Sequence, residues 1–221
     1  MWLTAPNRIG IAAWQSGDCV WRIKAHGGRD GIRLLFADQD LALLSSNDQP
    51  LPTLQEQFVR GQELHLSYPQ QDQGCQFGFR VVIRPIELDS ITTDEQLAVF
   101  ELLISVQTTL LDAHPTIDLV SEVGSGCRVD SVDGIAGAIH STESAPNQTA
   151  VLLGPPDAPF TSEISGGDDA LRLRLFGEFM EKGVIRRARP WVIIDREGRP
   201  IDTDEAITAW RALAASPVPL T

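Results

Sequence analysis

A chain of 221 residues with 43% hydrophobic and 22% charged content is long enough to bury a core without disulfides and too apolar to stay disordered. Its 18 basic residues against 30 acidic ones give a net charge of −12, the wrong sign for a domain that grips a nucleic-acid backbone, so generic nucleic-acid binding is excluded. The longest apolar run, Leu97 to Val106, contains Glu101 and falls far short of the ~20 residues of a membrane helix, and no basic-then-apolar leader opens the chain; the expectation is a cytoplasmic protein without a membrane partner.

Trp21, Ile23 and Ala25 alternate with Arg22, Lys24 and His26, the period of a half-buried strand. Asp30-Gly31 then offers the positive φ of a tight turn before Ile32 to Phe36, which predicts a hairpin. Asp38-Gln39-Asp40 could share a hard cation between two carboxylates, but directly after a strand it reads as a turn. After a polar loop at 45–53, Leu64, Leu66 and Tyr68 alternate with Glu63, His65 and Ser67. Cys75 to Leu88 is the clearest strand, with Phe77, Phe79, Val81 and Ile83 inward and Arg80 and Arg84 outward, and the two segments predict a second hairpin.

Gln96 to Leu111 carries both a helix-like capping pattern at Thr93 and Gln96 and many β-branched residues; it is read as a strand antiparallel to the one before it. Shorter strands follow at Ile117 to Val123, Arg128 to Val132 and Thr149 to Leu153. Between Asp112 and Ala170 ten acids face the single base Arg128, and 141–148 and 154–167 read as long surface loops. Phe176, Phe179 and Met180 are spaced as on a helix, and Lys182-Gly183-Val184 has the form of its stop, with a plain hairpin at Glu181 to Gly183 as the alternative. A strand over Val184 to Asp195 follows, with Pro190 arguing for a sheet edge. Asp202 and Glu205 form a capping box for an amphipathic helix from Thr203 to Ser216, with Ile207, Trp210, Leu213 and Ala214 on one stripe.

The sum is a single β-rich domain over 1–221, mainly β or α+β: antiparallel, sandwich-like sheets, one short helix before the last strand and a C-terminal amphipathic helix. The βαβ alternation of a doubly wound nucleotide-binding fold is missing.

Chemistry is sparsely marked. Cys19, Cys75 and Cys127 are too few and too scattered for a disulfide framework or a C-x-x-C site, and are read as reduced and mostly buried. His26, His65, His114 and His140 lack the spacing that puts two imidazoles on one metal, so neither a metal nor a cofactor is expected. Gly124-Ser125-Gly126 is no P-loop, and no nucleophile elbow occurs. The least generic feature is the recurrence of paired cations on strand faces: Arg22 with Lys24, Arg80 with Arg84, Arg172 with Arg174, Arg187 with Arg189.

In the last strand Arg187, Arg189 and Trp191 share one parity, combining guanidinium forks with an indole, and form the candidate ligand or interface site. The plainer reading is a solvated face whose arginines meet the chain's own acids. Two functions compete. One is a non-enzymatic binding or assembly domain using the arginine-rich face, with a protein partner, a second copy, or an anionic or sugar-like small molecule. The other is a carbohydrate-active or small-molecule enzyme drawing acid and base from His65, His114, Asp118 and Glu122.

Overall fold

The computed structural model describes residues 1–36, 39–46, 49–71, 74–88, 97–121, 127–130, 137–142, 149–164, 171–195 and 201–217. The chain builds two antiparallel sheets by passing between them. β1 (Trp2–Thr4), β2 (Ile11–Ser16), β3 (Cys19–Gly28), β4 (Gly31–Phe36), β5 (Gln39–Ser45) and β6 (Leu51–Thr53) belong to the first sheet. β7 (Glu56–Arg60), β8 (Glu63–Tyr68), β9 (Gly78–Ile86) and β10 (Leu97–Gln107) open the second. β11 (Thr116–Ser121) returns to the first sheet, and β12 (Cys127–Asp130), β13 (Ala138–Thr142) and β14 (Thr149–Leu153) to the second. A 3-10 turn at Ala158–Phe160 leads into β15 (Thr161–Glu163) and β16 (Leu171–Phe176) of the first sheet. β17 (Ile185–Ala188) and β18 (Trp191–Asp195) complete the second, and α1 (Thr203–Ala215) ends the fold.

The first sheet runs β1-β2-β3-β4-β5-β11-β16-β15 with β6 on β3, and the second β12-β13-β14-β18-β10-β9-β8-β7 with β17 on β10. Both predicted hairpins form, as β3–β4 and β8–β9, and β10 pairs antiparallel with β9 from Val99↔Ile86 to Gln107↔Gly78. At the first turn Gly31 has φ +62, and a Cβ there would collide with the Leu43 carbonyl oxygen, so glycine is required twice over.

Alternation decides which side chains meet between the sheets. Trp21, Ile23 and Ala25 from β3 face Phe79, Val81 and Ile83 from β9 and Phe100 and Leu102 from β10 in one shared core. Trp21 meets Phe100 edge to face at 5.7 Å, and the Tyr68 ring stacks on Phe79 at 4.2 Å. Tyr68 Oη donates to the Ala25 carbonyl across the sheets at 2.7 Å, which satisfies a buried hydroxyl whose pKa burial pushes up.

A second core lies on the far side of the second sheet. Leu97, Val99, Ala150, Leu152, Trp191 and Ile193 pack against Ala206, Ala209, Trp210 and Leu213 of α1. The capping box forms as predicted, Asp202 accepting from the backbone of Asp204 and Glu205 reaching back to the N-cap amide. Trp210 Nε1 donates to the Leu153 carbonyl at 2.9 Å. Gly137, at φ +147, leaves room for the Trp210 ring where a Cβ would clash. β10 and β18 are therefore buried on both faces, between the inter-sheet core and the helix.

Three expectations need correction. No helix forms at 176–183: Phe176 turns to φ +66 and Gly177 to φ +104, both incompatible with an α-helix, and Met180 instead exchanges backbone hydrogen bonds with Ala113. The strand bearing Pro190 is no simple edge. β18 sits between β14 and β10, and Pro190 interrupts the ladder yet keeps half of it, its carbonyl accepting from Leu102 N at 3.0 Å. Cys19 and Cys75 are only half-buried, and the side chain of Cys127 lies outside the described residues.

Candidate functional site

Arg187, Arg189 and Trp191 stand on the outer face of the second sheet, in register with β10, where Arg187 pairs with Ser105 and Trp191 with Glu101. Arg189 and Trp191 are buried, and they converge on one carboxylate. Trp191 Nε1 donates to Glu101 Oε2 at 2.8 Å, and the Arg189 guanidinium lies 3.8 Å from the same oxygen. The rest of the Arg189 fork reaches the end of α1, donating to the carbonyls of Leu213, Ser216 and Pro217 at 3.4, 3.2 and 2.8 Å. The Leu213 carbonyl also accepts from the Ser216 backbone N–H and hydroxyl, and the last turn carries no basic residue of its own. A strand arginine thus supplies both the hydrogen bonds and the positive charge that a helix C-terminus favours.

The Arg189 backbone N–H donates in turn to Asp157 Oδ1 at 3.1 Å. Burial pushes the Asp157 carboxyl up to about 6, against the lowering effect of Arg189.

Glu101 also anchors a row of alternating charge across neighbouring strands. Arg84 Nε lies 2.9 Å from Glu101 Oε1, and the other end of the Arg84 fork lies 3.7 Å from Glu63. Glu63 is paired in register with Arg60 and bonded to His65 at 3.0 Å. Sequence reasoning missed Glu101 as the centre of this row. Its signal was there, a lone carboxylate inside the most apolar run of the chain, where a charge survives only if it is paired.

The scattered acid–base candidates are not gathered. His65 stacks on Phe58 at 4.6 Å on the outer face of the second sheet. Asp118 is buried on the opposite side of the sandwich, in a forked pair with Arg174 at 2.9 and 3.1 Å that raises the arginine's pKa. His114 is exposed, 3.4 Å from Asp112, and Glu122 lies outside the described residues, as does Asp38. His140 is buried, and desolvation lowers its pKa to about 4.

The outer face of the first sheet is built differently. β3 turns Val20, Arg22 and Lys24 outward, and its neighbour β2 places Ala13 opposite Arg22 and Ile11 opposite Lys24. Leu3 of β1 pairs with Ala13, and Arg33 of β4 pairs with Lys24. Leu3, Ile11 and Val20 are 40%, 41% and 43% exposed, beside three cations. Farther along the face stand Arg172 and Arg174, four strands or roughly 19 Å from β3. The paired cations of β3 and β16 therefore share a sheet face, whereas Arg80 and Arg84 belong to the other sheet.

Together, fold and surface define a two-sheet antiparallel β-sandwich braced by a terminal helix on one side, with Leu3, Ile11 and Val20 exposed on the other. Compared with known proteins, the sequence matches no family model and no curated protein at a significant level.

Proposed function

We propose that the protein is a non-enzymatic binding domain that docks an acidic, amphipathic segment of a partner protein on the outer face of its first sheet. The observation that carries this reading is the juxtaposition of exposed Leu3, Ile11 and Val20 with Arg22, Lys24 and Arg33 on adjacent strands. A helix with leucines on one stripe and carboxylates on its flanks supplies both the apolar seats and the counter-charge. On a chain of net charge −12 a local positive face also orients an acidic partner toward this side. In this reading Arg189 and Trp191 support the helix rather than touch a ligand.

The test is fluorescence anisotropy with a labelled Leu/Glu amphipathic peptide at low and moderate salt. Binding that weakens steeply with salt, disappears in R22E/K24E and survives more weakly in L3S/V20S supports the proposal. Absence of binding, or binding indifferent to R22E/K24E, overturns it.

A further inference from the structure

At one end of the sandwich two cavities of about 340 and 460 Å³ adjoin and share Gln49, Gly74, Cys75 and Gln76. The groove they make spans both sheets. Ser45 and Thr116 come from the ends of β5 and β11, whereas Phe77, Gln70 and Thr109 flank β9, β8 and β10. Its chemistry departs from the rest of the chain. Charged residues are 22% of the sequence, yet the described residues that line it include no Asp, Glu, Lys or Arg, one histidine, His114, and four glutamines.

Two of those glutamines are held in place. Gln70 Oε1 accepts from both the backbone N–H and the hydroxyl of Thr109, at 2.8 and 3.0 Å, which leaves its amide NH₂ to donate. Gln71 Nε2 donates to Thr53 Oγ1 at 2.6 Å, which leaves its carbonyl to accept. A fixed donor thus stands next in the chain to a fixed acceptor. Gln49 and Gln76 add side-chain amides that carry no hydrogen bond among the described residues. Phe77 and Pro50 add apolar wall.

From this geometry we infer that the groove is a binding site for a neutral saccharide. Sugar hydroxyls each donate and accept, so they match paired amide groups, and the C–H face of a pyranose suits the wall at Phe77 and Pro50. Among the described lining residues only His114 could face a charged metabolite, and Asp112 at 3.4 Å already pairs with it, so the lining disfavours a charged ligand. The amides are pre-ordered by Thr109 and Thr53, so binding costs little side-chain entropy at those two positions.

The test is an isotope-labelled NMR titration with cello-, malto-, xylo- and chito-oligosaccharides at millimolar concentration, with an uncharged capped tripeptide as the competing probe. Expected are shifts centred on 49–52, 70–71, 74–77 and 109–116 with at least one saccharide, and about tenfold weaker binding in Gln70→Ala/Gln71→Ala. Gln49→Ala/Gln76→Ala removes amides that carry no hydrogen bond among the described residues. It should weaken binding with an unchanged melting temperature, so a folding defect cannot imitate the result. The inference fails if no saccharide shifts these residues, if the tripeptide binds there in place of the saccharides, or if both double variants bind as the parent does. None of these outcomes depends on the first sheet's outer face.

Discussion

On the outside of the second sheet, Leu97, Val99, Leu152, Trp191 and Ile193 are sealed under α1, and the charges beside them, Glu101, Arg84 and Glu63, are matched in a row. On the outside of the first sheet, Leu3, Ile11 and Val20 remain exposed and Lys24 faces Arg33. Both surfaces mix aliphatic residues with arginine. The difference is that, among the described residues, one has its apolar side chains covered by a helix of the same chain. A sheet face that buries its apolar residues intramolecularly contributes to stability; one that leaves them in water contributes nothing until something else covers them.

That contrast can be broken or sharpened by mutation, and the largest effects belong on the covered side. Trp210→Ala removes a fully buried indole and orphans the Leu153 carbonyl, and should cost about 3 to 5 kcal/mol in urea denaturation. An unchanged midpoint would mean that α1 is not seated as described. Glu101→Ala strips the carboxylate from Trp191 and from the buried Arg189 and should also cost about 3 to 5 kcal/mol. Arg84→Gln, on the exposed flank of the same row, should cost about 1 kcal/mol or less. Equal losses in the two variants would refute the placement of Glu101 as the centre.

The pH dependence is subtler because two buried groups oppose each other. Asp157 is pushed up to about 6, so the native state holds its proton more tightly than the unfolded chain does. Its contribution is present below about 4 and is lost as pH rises through about 6, a change of roughly 3 kcal/mol at most. His140 is lowered to about 4, so its contribution is present above about 6.5 and is lost as pH falls through about 4. The parent should therefore show a shallow melting profile between pH 4 and 6.5. Asp157→Asn should make stability climb with pH in that window, and His140→Leu should make it fall. Identical profiles for the two variants would show that these groups do not set the acid response.

The smallest stability effect belongs on the open face. R22E/K24E should move the unfolding free energy by no more than about 0.5 kcal/mol per site, because neither side chain has a partner to lose among the described residues. A large loss there would mean that the first sheet's outer face is internally supported like the second's, and the comparison would collapse.

Where one face of a strand is buried and the other wet, the sequence carries the answer in its alternation. Trp21, Ile23 and Ala25 against Arg22, Lys24 and His26 could be assigned to sides before any coordinates, as could Leu64, Leu66 and Tyr68, and the Asp202–Glu205 box announced α1. β10 was the hard case: both its faces are buried, so its apolar run has no period and only its β-branched residues spoke for a strand. The region 176–183 misled for the converse reason. Phe176, Phe179 and Met180 have helical spacing by accident, and the left-handed turn at Phe176 and Gly177 is set by the bond of Gly177 N to the distant Pro115 carbonyl. Likewise, parity alone places Arg189 and Trp191 on one face, but whether that face meets water depends on a helix about twenty residues further along folding back over it. The groove is still less legible: Gln70 and Gln76 flank the β8–β9 hairpin, but Gln49, Thr109 and Thr116 reach them only through contacts over long sequence separations. Local alternation, turns and caps are short-range physics and can be read along the chain; burial of a polar residue and the gathering of a site are decided by which distant segments close over it.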